Sequence, residues 1–395
     1  MNRYANRTPE GTRDLLFEEC CARRKVERAL SELFQSRGFS EVVTPTLEFF
    51  DVFNRESAGR LPESLYSLSD SQGRLLVLRA DSTLPIARVA ATRLRETAYP
   101  LRLYYNQSVF RRNPRYAGLD DETFQGGIEL IGASGFRADL EVLLTAVDAL
   151  DVCGAPDFRI EIGHAGFFSA LTEQLQADAG TRTELCALIE AKNYGALNDL
   201  LDTMEGGGAT DAIRRLPRLF GGEGVLEKAE ALSESPKARE AVAELHRIWE
   251  GLQSAGLAEK VSIDFGLVHG GNYYTGMLFR GYIDGSGQTV LSGGRYDCLL
   301  GEFGKALPAI GFGVEVAALA AALRDETLAP RHADVLVFGE VGCELQALLR
   351  VKEQNALGLT AENSLAGTRE EALAYAKRKG ISCVEIIDAE GVRNP

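Results

Sequence analysis

Between residues 14 and 37, apolar side chains recur at helical spacing with charged residues in the gaps, which predicts an amphipathic helix closed by Gly38. Thr12 and Asp14 stand ahead of it as candidate caps. The run FSEVVTPTLEFFDVF then predicts a strand, a break at Pro45 and a second apolar segment. SLYSLSDSQGRLLVLRA predicts two strands around a polar Asp-Ser-Gln-Gly turn. Asp81, Ser82 and Thr83 precede an apolar helix and form a good start signal for it. LRLYYNQSVF is a strand leading into Arg111, and GGIELIG is the strand that closes a hairpin after the loop. Residues 138–151 predict an amphipathic core helix, and FRIEIGHAGFF a strand running into a turn. Residues 168–258 are polar and helical, broken by GGGATD and GGEG, and are expected to be a helical insertion. Apolar positions return in Phe265–Phe279, expected to supply two strands, and 289–300 continues the sheet. LPAIGFGVEVAALAAAL predicts a strand followed by a helix. Beyond a linker at Pro330 and Arg331, residues 331–395 give β-α-…-α-β, with GTREEALAYAKRKG as an exposed helix.

The length of 395 residues is enough for two or three domains, and 45% hydrophobic with 25% charged residues is ordinary for a soluble globular protein. The net charge of −14 argues against a broad nucleic-acid surface, which needs clustered Lys and Arg. The N-terminal stretch MNRYANRTPEGTRDLL has no apolar signal-peptide core, and no apolar run reaches membrane-spanning length. The 7 cysteines are dispersed without a C-x-x-C pair and the 4 histidines are scattered, so no metal site is expected. Dispersed thiols fit a reducing cytoplasm.

Chemistry concentrates in FGLVHGGNYYTGMLF, residues Phe265–Phe279. Gly270 and Gly271 allow a tight turn or a close approach to a ligand. Tyr273 and Tyr274 offer flat apolar faces with hydroxyl tips, suited to a small-molecule pocket. A second Gly-Gly turn follows in LSGGRYDCLL, with Arg295, Tyr296 and Asp297 after it. Gln125 and Glu129 are four apart on a strand, so both side chains point to one face. That face is either solvated or a binding wall.

The two glycine-bearing segments resemble the histidine-specific signatures of histidyl-tRNA synthetases. The first reads L-V-R-G-L-D-Y-Y-T-G in that family; here His269 stands for the arginine and Asn272 for the aspartate. PEGTRDLL resembles the family's opening segment, and Pro45 with Glu48 resembles motif 1, the dimer motif of class II synthetases. LRADSTLPIAR resembles L-R-P-E-G-T, with Asp81 for the glutamate and Thr83 retained; a carboxylate there would face the amino group of a bound amino acid. The hairpin resembles motif 2, whose core is F-R-x-E: Arg111 matches, Asn113 replaces the glutamate, and Asp120, Asp121 and Glu122 sit in a loop that is basic in synthetases. Like charges facing a polyphosphate repel. LPAIGFGVEVAALAAAL resembles motif 3, G-F-x-x-G-x-E-R, with Ala317 and Ala318 under its glutamate and arginine. FRIEIGHAGFF resembles L-G-H-V-G, which implies a structural His164.

The resemblance implies an α+β fold: a class II aminoacyl-tRNA synthetase-like antiparallel sheet flanked by helices over 1–325, with the insertion at about 168–258. It implies a truncated anticodon-binding-like α/β domain over 331–395. The departures are lopsided. Adenylation needs charge stabilisation on phosphoryl oxygens, and losing one arginine there costs on the order of 10³-fold or more. His269 and Ala318 replace two, whereas Asp81, Thr83, Gln125, Glu129, Tyr273 and Tyr274 remain. That combination resembles the regulatory subunits of short-form ATP phosphoribosyltransferase. The resemblance implies no catalysis, no cofactor, no metal and no tRNA. It implies a histidine site formed by Asp81, Thr83, Arg111, Gln125, Glu129, His269, Tyr273 and Tyr274, a homodimer through the motif 1-like segment, and a hetero-oligomer with the small catalytic subunit that joins ATP to phosphoribosyl pyrophosphate at the start of histidine biosynthesis. It implies that this chain is required for that activity and carries feedback inhibition by free histidine. The competing expectations are a divergent histidyl-tRNA synthetase and a synthetase-like regulator of another system.

Overall fold

A computed structural model describes residues 4–55, 62–114, 118–155, 157–204, 207–269, 273–284, 287–323 and 332–393. Gly270, Gly271 and Asn272, three residues of the motif 2 loop, the first glycine of the GGGATD break and the linker at Pro330 and Arg331 lie outside them. The chain divides into two units, Met1–Asp325 and Glu326–Pro395.

The first unit opens with α1 (Glu18–Ser36), β1 (Ser40–Glu41), β2 (Leu47–Phe49) and α2 (Phe50–Phe53). Next come β3 (Ser67–Ser69), β4 (Leu75–Leu78), α3 (Thr83–Thr92), β5 (Leu101–Phe110), β6 (Glu122–Ile131), α4 (Phe136–Val152) and β7 (Phe158–His164). The insertion holds α5 (Ala165–Gln174), α6 (Ala179–Glu190), α7 (Tyr194–Asp202), α8 (Gly208–Arg215), β8 (Phe220–Gly221), α9 (Gly224–Glu230) and α10 (Pro236–Ser254). The unit ends with β9 (Val261–Asp264), β10 (Met277–Ile283), β11 (Thr289–Arg295), β12 (Ala309–Glu315) and α11 (Val316–Ala322).

Nine strands form the main sheet in the order β1-β5-β6-β12-β11-β10-β7-β9-β8. Only β1 with β5 and β7 with β9 pair in parallel; the remaining neighbours are antiparallel. One face is covered by α1 and α4. Ala22, Val26, Leu30 and Phe34 of α1 fall on one stripe, and the Phe34 ring lies 5.9 Å from Tyr104 and 6.0 Å from Phe312. The other face meets α3, β4 and the turn after β11, where Val77, Leu84, Ala87, Leu103, Tyr105, Tyr296 and Leu300 form a second core. β6 is therefore buried on both faces over residues 125–131. β2, β4 and β3 make a separate antiparallel sheet.

Several sequence expectations shift. The first helix starts at Glu18, and neither Thr12 nor Asp14 caps it; the Thr12 hydroxyl donates to the Pro9 carbonyl instead. The second hairpin strand begins at Glu122, before GGIELIG, because its ladder with β5 runs the full length of both strands. FRIEIGHAGFF passes from strand straight into α5, whose N-terminal Gly166 N–H is held by His164 Nδ1 at 3.1 Å. Among its described residues Phe265–Phe279 supplies only the start of β10, and the strand expected over 289–300, β11, ends at Arg295. The insertion is helical apart from the short β8, which pairs with β9.

The second unit contains β13 (Val335–Gly339), α12 (Glu344–Ala356), β14 (Ala361–Asn363), α13 (Arg369–Lys379), β15 (Cys383–Asp388) and β16 (Gly391–Arg393). Its sheet order is β14-β13-β15-β16, parallel except at β16. Leu336, Phe338 and Ile386 pack on Ala372 and Ala376 of α13, so that helix buries one stripe. Val335, Val337 and Ile387 pack on Ala347 of α12. Arg350 of α12 pairs with the buried Glu385 through Nε and Nη2, at 2.8 and 2.9 Å.

Candidate functional site

A cavity of about 310 Å³ opens on the α3 side of the main sheet. Strand register explains its shape. Across the sheet, Leu103, Glu129, Gly311, Gly294 and Leu278 stand in one row. Tyr105, Gly127, Gly313, Ser292 and Arg280 make the next row, and Gln107, Gln125 and Glu315 a third. Members of a row face the same way, so the cavity floor alternates reactive side chains with bare backbone.

The glycines are sterically required. A Cβ on Gly311 would lie 1.9 Å from Glu129 Oε2, and one on Gly127 would lie 2.6 Å from the Tyr105 hydroxyl. One on Gly294 would press against the Tyr274 ring at 2.8 Å. The second Gly-Gly pair is not the turn expected from the sequence: Gly293 and Gly294 lie within β11, where main chain passes close to neighbouring strands and to the Tyr274 ring.

Glu129 is the chemical centre of the floor. It is 1% exposed. Thr83 Oγ1 donates to its Oε1 at 2.7 Å and the Tyr296 hydroxyl donates to its Oε2. Burial pushes its carboxyl up to about 8, against the pull of the Tyr296 and Thr83 hydrogen bonds. At neutral pH the empty cavity thus holds a protonated Glu129 that can ionise when a donor arrives. The solvated reading of its strand face is excluded by this burial.

Aromatic rings wall the space above it. Tyr273 stacks on Tyr296 with centroids 5.5 Å apart, and meets Tyr274 edge-on at 4.7 Å. His269 lies edge-on to Tyr274 at 5.0 Å. Burial raises the hydroxyls of Tyr105, Tyr273 and Tyr296 well above the ordinary tyrosine range, so all three stay protonated donors. Asp81 serves two ends: its Oδ1 accepts the Leu84 N–H at 3.0 Å, and it lines the cavity. Both functions open to it in the sequence are compatible with one position.

Arg111 donates from Nε to the Ala80 carbonyl at 2.8 Å and from Nη1 to Glu315 Oε1 at 3.1 Å. The same Glu315 oxygen takes the Gln125 amide at 2.6 Å. All eight residues singled out from the sequence, Asp81, Thr83, Arg111, Gln125, Glu129, His269, Tyr273 and Tyr274, line this one cavity.

Sequence reasoning missed Tyr105, Arg280 and Glu315 among the lining residues. Strand alternation through Leu101–Phe110 could have assigned Tyr105 to the Gln107 face, and the lone charges in MLFRGYI and GFGVEV mark the other two. Ala317 and Ala318 leave motif 3 without its own glutamate and arginine, yet a different carboxylate, Glu315, enters the cavity two positions earlier. The second signature segment also divides. Tyr296 faces the cavity, whereas Arg295 points to the other face and pairs with Asp139 of α4 at 2.8 and 2.5 Å. The acidic loop is structural as well. Asp120 pairs with Arg13 at 3.1 Å, Asp121 accepts from Tyr66 and from the Asn113 N–H at 2.9 Å, and the Asn113 amide donates to the Asp120 carbonyl at 2.9 Å. His164 is occupied outside the cavity, with Nε2 at 2.9 Å from Glu244 of α10. Among the described residues no cluster of His, Cys, Asp and Glu could hold a metal ion, and no helix is long and apolar enough to cross a membrane.

The sequence model of the histidyl-tRNA synthetase family matches residues 11–319. An ATP phosphoribosyltransferase regulatory subunit of Clostridium kluyveri is 39% identical over 391 residues, 98% of this chain and 100% of that protein. The crystal structure of an ATP phosphoribosyltransferase regulatory subunit/histidyl-tRNA synthetase from Bacillus halodurans superposes with a TM-score of 0.86 at 31% identity, covering 97% of this chain and 98% of that one. A histidyl-tRNA synthetase of Nostoc shares the fold, with a TM-score of 0.79 at 21% identity over 98% of this chain and 92% of that one. A synthetase-like sheet, matched almost end to end by regulatory chains, places this protein in the family of ATP phosphoribosyltransferase regulatory subunits, non-catalytic relatives of the histidyl-tRNA synthetases.

Proposed function

We propose that the cavity binds free histidine and that the chain transmits its occupancy to the catalytic subunit of short-form ATP phosphoribosyltransferase, giving feedback control over the first step of histidine biosynthesis. The observation that supports this most is that the eight residues the resemblance implies line a single cavity whose floor carries a buried, titratable Glu129. The chemistry suits the ligand. An imidazole N–H can donate to Glu129 as it ionises, with the Tyr273 and Tyr296 rings alongside. The ammonium has Asp81 as a carboxylate partner on the cavity wall. A volume of about 310 Å³ accommodates an amino acid with water to spare.

Regulation adds a thermodynamic condition. Histidine must bind the assembled and free states unequally, or it shifts nothing. In this reading the chain is also required for the catalytic subunit's activity. It forms a homodimer through the three-stranded sheet β2-β4-β3, which exposes Leu47, Phe49, Leu68 and Leu75 beside the motif 1-like segment.

The test is calorimetric titration of histidine into the purified chain, alone and with the short-form catalytic chain. Saturable binding with different affinities in the two states is expected. Absence of binding to either state overturns the histidine assignment. Histidine-dependent exchange of pyrophosphate into ATP would favour a working synthetase instead.

A further inference from the structure

Glu315 has no counterpart in the synthetase pattern that its strand otherwise follows. Laying G-F-x-x-G-x-E-R along Gly311 to Ala318 puts Glu315 under the second glycine. The neighbouring positions on the same face stay bare at Gly311 and Gly313. Beyond Gly313 in its row come Ser292 and Arg280. Bare backbone at Gly311 and Gly313, in a chamber with two guanidinium groups, is the chemistry that receives a phosphoryl group. Here Arg111 already has an anion: Glu315 Oε1 sits 3.1 Å from its Nη1 and takes the Gln125 amide with the same oxygen. Arg280 is likewise matched, by Glu190 of the insertion at 3.1 Å.

We propose that Glu315 is a specificity-determining residue: a carboxylate supplied by the chain itself that fills the anion position beside Arg111 and keeps phosphate-bearing ligands out of the cavity. The inference rests on the reading of this cavity as a site for a free amino acid, and it explains how that site ignores nucleotides. An incoming phosphoryl group would face the Glu315 charge at hydrogen-bond range in a partly enclosed space, where like-charge repulsion is strong. It would also have to take Arg111 and Gln125 from an acceptor that is already in place. A neutral amino acid carries one carboxylate and one ammonium, so it meets no such net penalty.

The test uses inorganic pyrophosphate and adenosine 5′-monophosphate as probes, titrated by calorimetry into the full-length chain at fixed ionic strength. Wild-type protein is expected to bind neither at millimolar concentration. Glu315→Gln keeps the shape and an acceptor oxygen but loses the charge, and should bind pyrophosphate at least tenfold more tightly. Glu315→Gly restores the pattern's residue and should do at least as well; thermal melts establish that each variant is folded. Adding Arg111→Gln to Glu315→Gln should abolish the gain. The proposal is overturned if both folded variants still reject the two probes, or if the gain survives loss of Arg111. It is also overturned if Glu315→Gln weakens histidine tenfold without admitting pyrophosphate, which would make Glu315 an ammonium ligand. A parallel histidine titration of the wild type keeps the two readings separate: its failure removes the amino-acid assignment, whereas the pyrophosphate gain reports on Glu315 alone.

Discussion

Glu129→Gln exchanges a buried carboxyl for a neutral amide of the same shape, and the consequences can be worked through for both stability and binding. In the folded chain burial raises this carboxyl from 4.5 to about 8. Between those values the folded state keeps a proton that the unfolded chain has lost, so stability falls as pH rises through the window. The slope is about 1.4 kcal/mol per pH unit, and the accumulated penalty at pH 7 is on the order of 3 kcal/mol. Glutamine has no such titration and can still accept from Thr83. Urea unfolding at pH 5, 6, 7 and 8 should therefore show the variant drawing ahead of the wild type as pH rises, from near parity at pH 5. Ligand binding should go the other way. A histidine that donates to the carboxylate lowers its pKa, so binding between pH 6 and 8 releases the Glu129 proton. Calorimetry in two buffers of different protonation enthalpy reads that release. The glutamine variant should bind histidine at least tenfold more weakly, about 1.4 kcal/mol, and lack the Glu129 share of the proton release. Parallel pH profiles of stability in the two proteins would refute the reasoning on burial, and unchanged histidine affinity would remove Glu129 from the site.

Gly311→Ala brings a Cβ within 1.9 Å of Glu129 Oε2 and 2.4 Å of the Ile128 carbonyl oxygen, and the second of these cannot swing away. It should abolish histidine binding by calorimetry and cost about 1–3 kcal/mol in urea unfolding. Arg295→Met leaves Asp139 buried without its partner, so unfolding measurements should show a loss of about 3–5 kcal/mol. Phe49→Lys combined with Leu68→Lys places charge on the exposed face of the small sheet. Sedimentation should then give a monomer in place of the dimer proposed for the wild type, with the melting temperature of the chain little changed.

Much of the fold was legible because its strands announce themselves. β5 alternates and α4 keeps helical spacing, patterns that burial of a face imposes, whereas β6, buried on both faces, reads as a near-continuous run of small and apolar residues. Element ends were less legible. α1 begins at Glu18 although good capping residues precede it, because Gly11 and Thr12 belong to a segment folded against the motif 2 loop, where the Asp121 N–H donates to the Gly11 carbonyl at 2.7 Å. Tertiary context overrode the local signal. The site was legible residue by residue through its resemblance, but its glycine floor and Glu315 were not. Both depend on which residues stand opposite one another across β6, β12 and β11, and register between distant strands is not written in any single stretch.

The bare floor also constrains how this chamber can change. Main chain is the thinnest wall a protein can build, so every replacement at 127, 294, 311 or 313 adds atoms. Changes at those four glycines can make the chamber choosier but never roomier. Accepting a bulkier guest must come from trimming the side chains that line it, and removing the Tyr105, Tyr273 or Tyr296 ring also strips away a hydroxyl donor or a stacking surface. Selectivity for a small occupant is therefore protected from both directions.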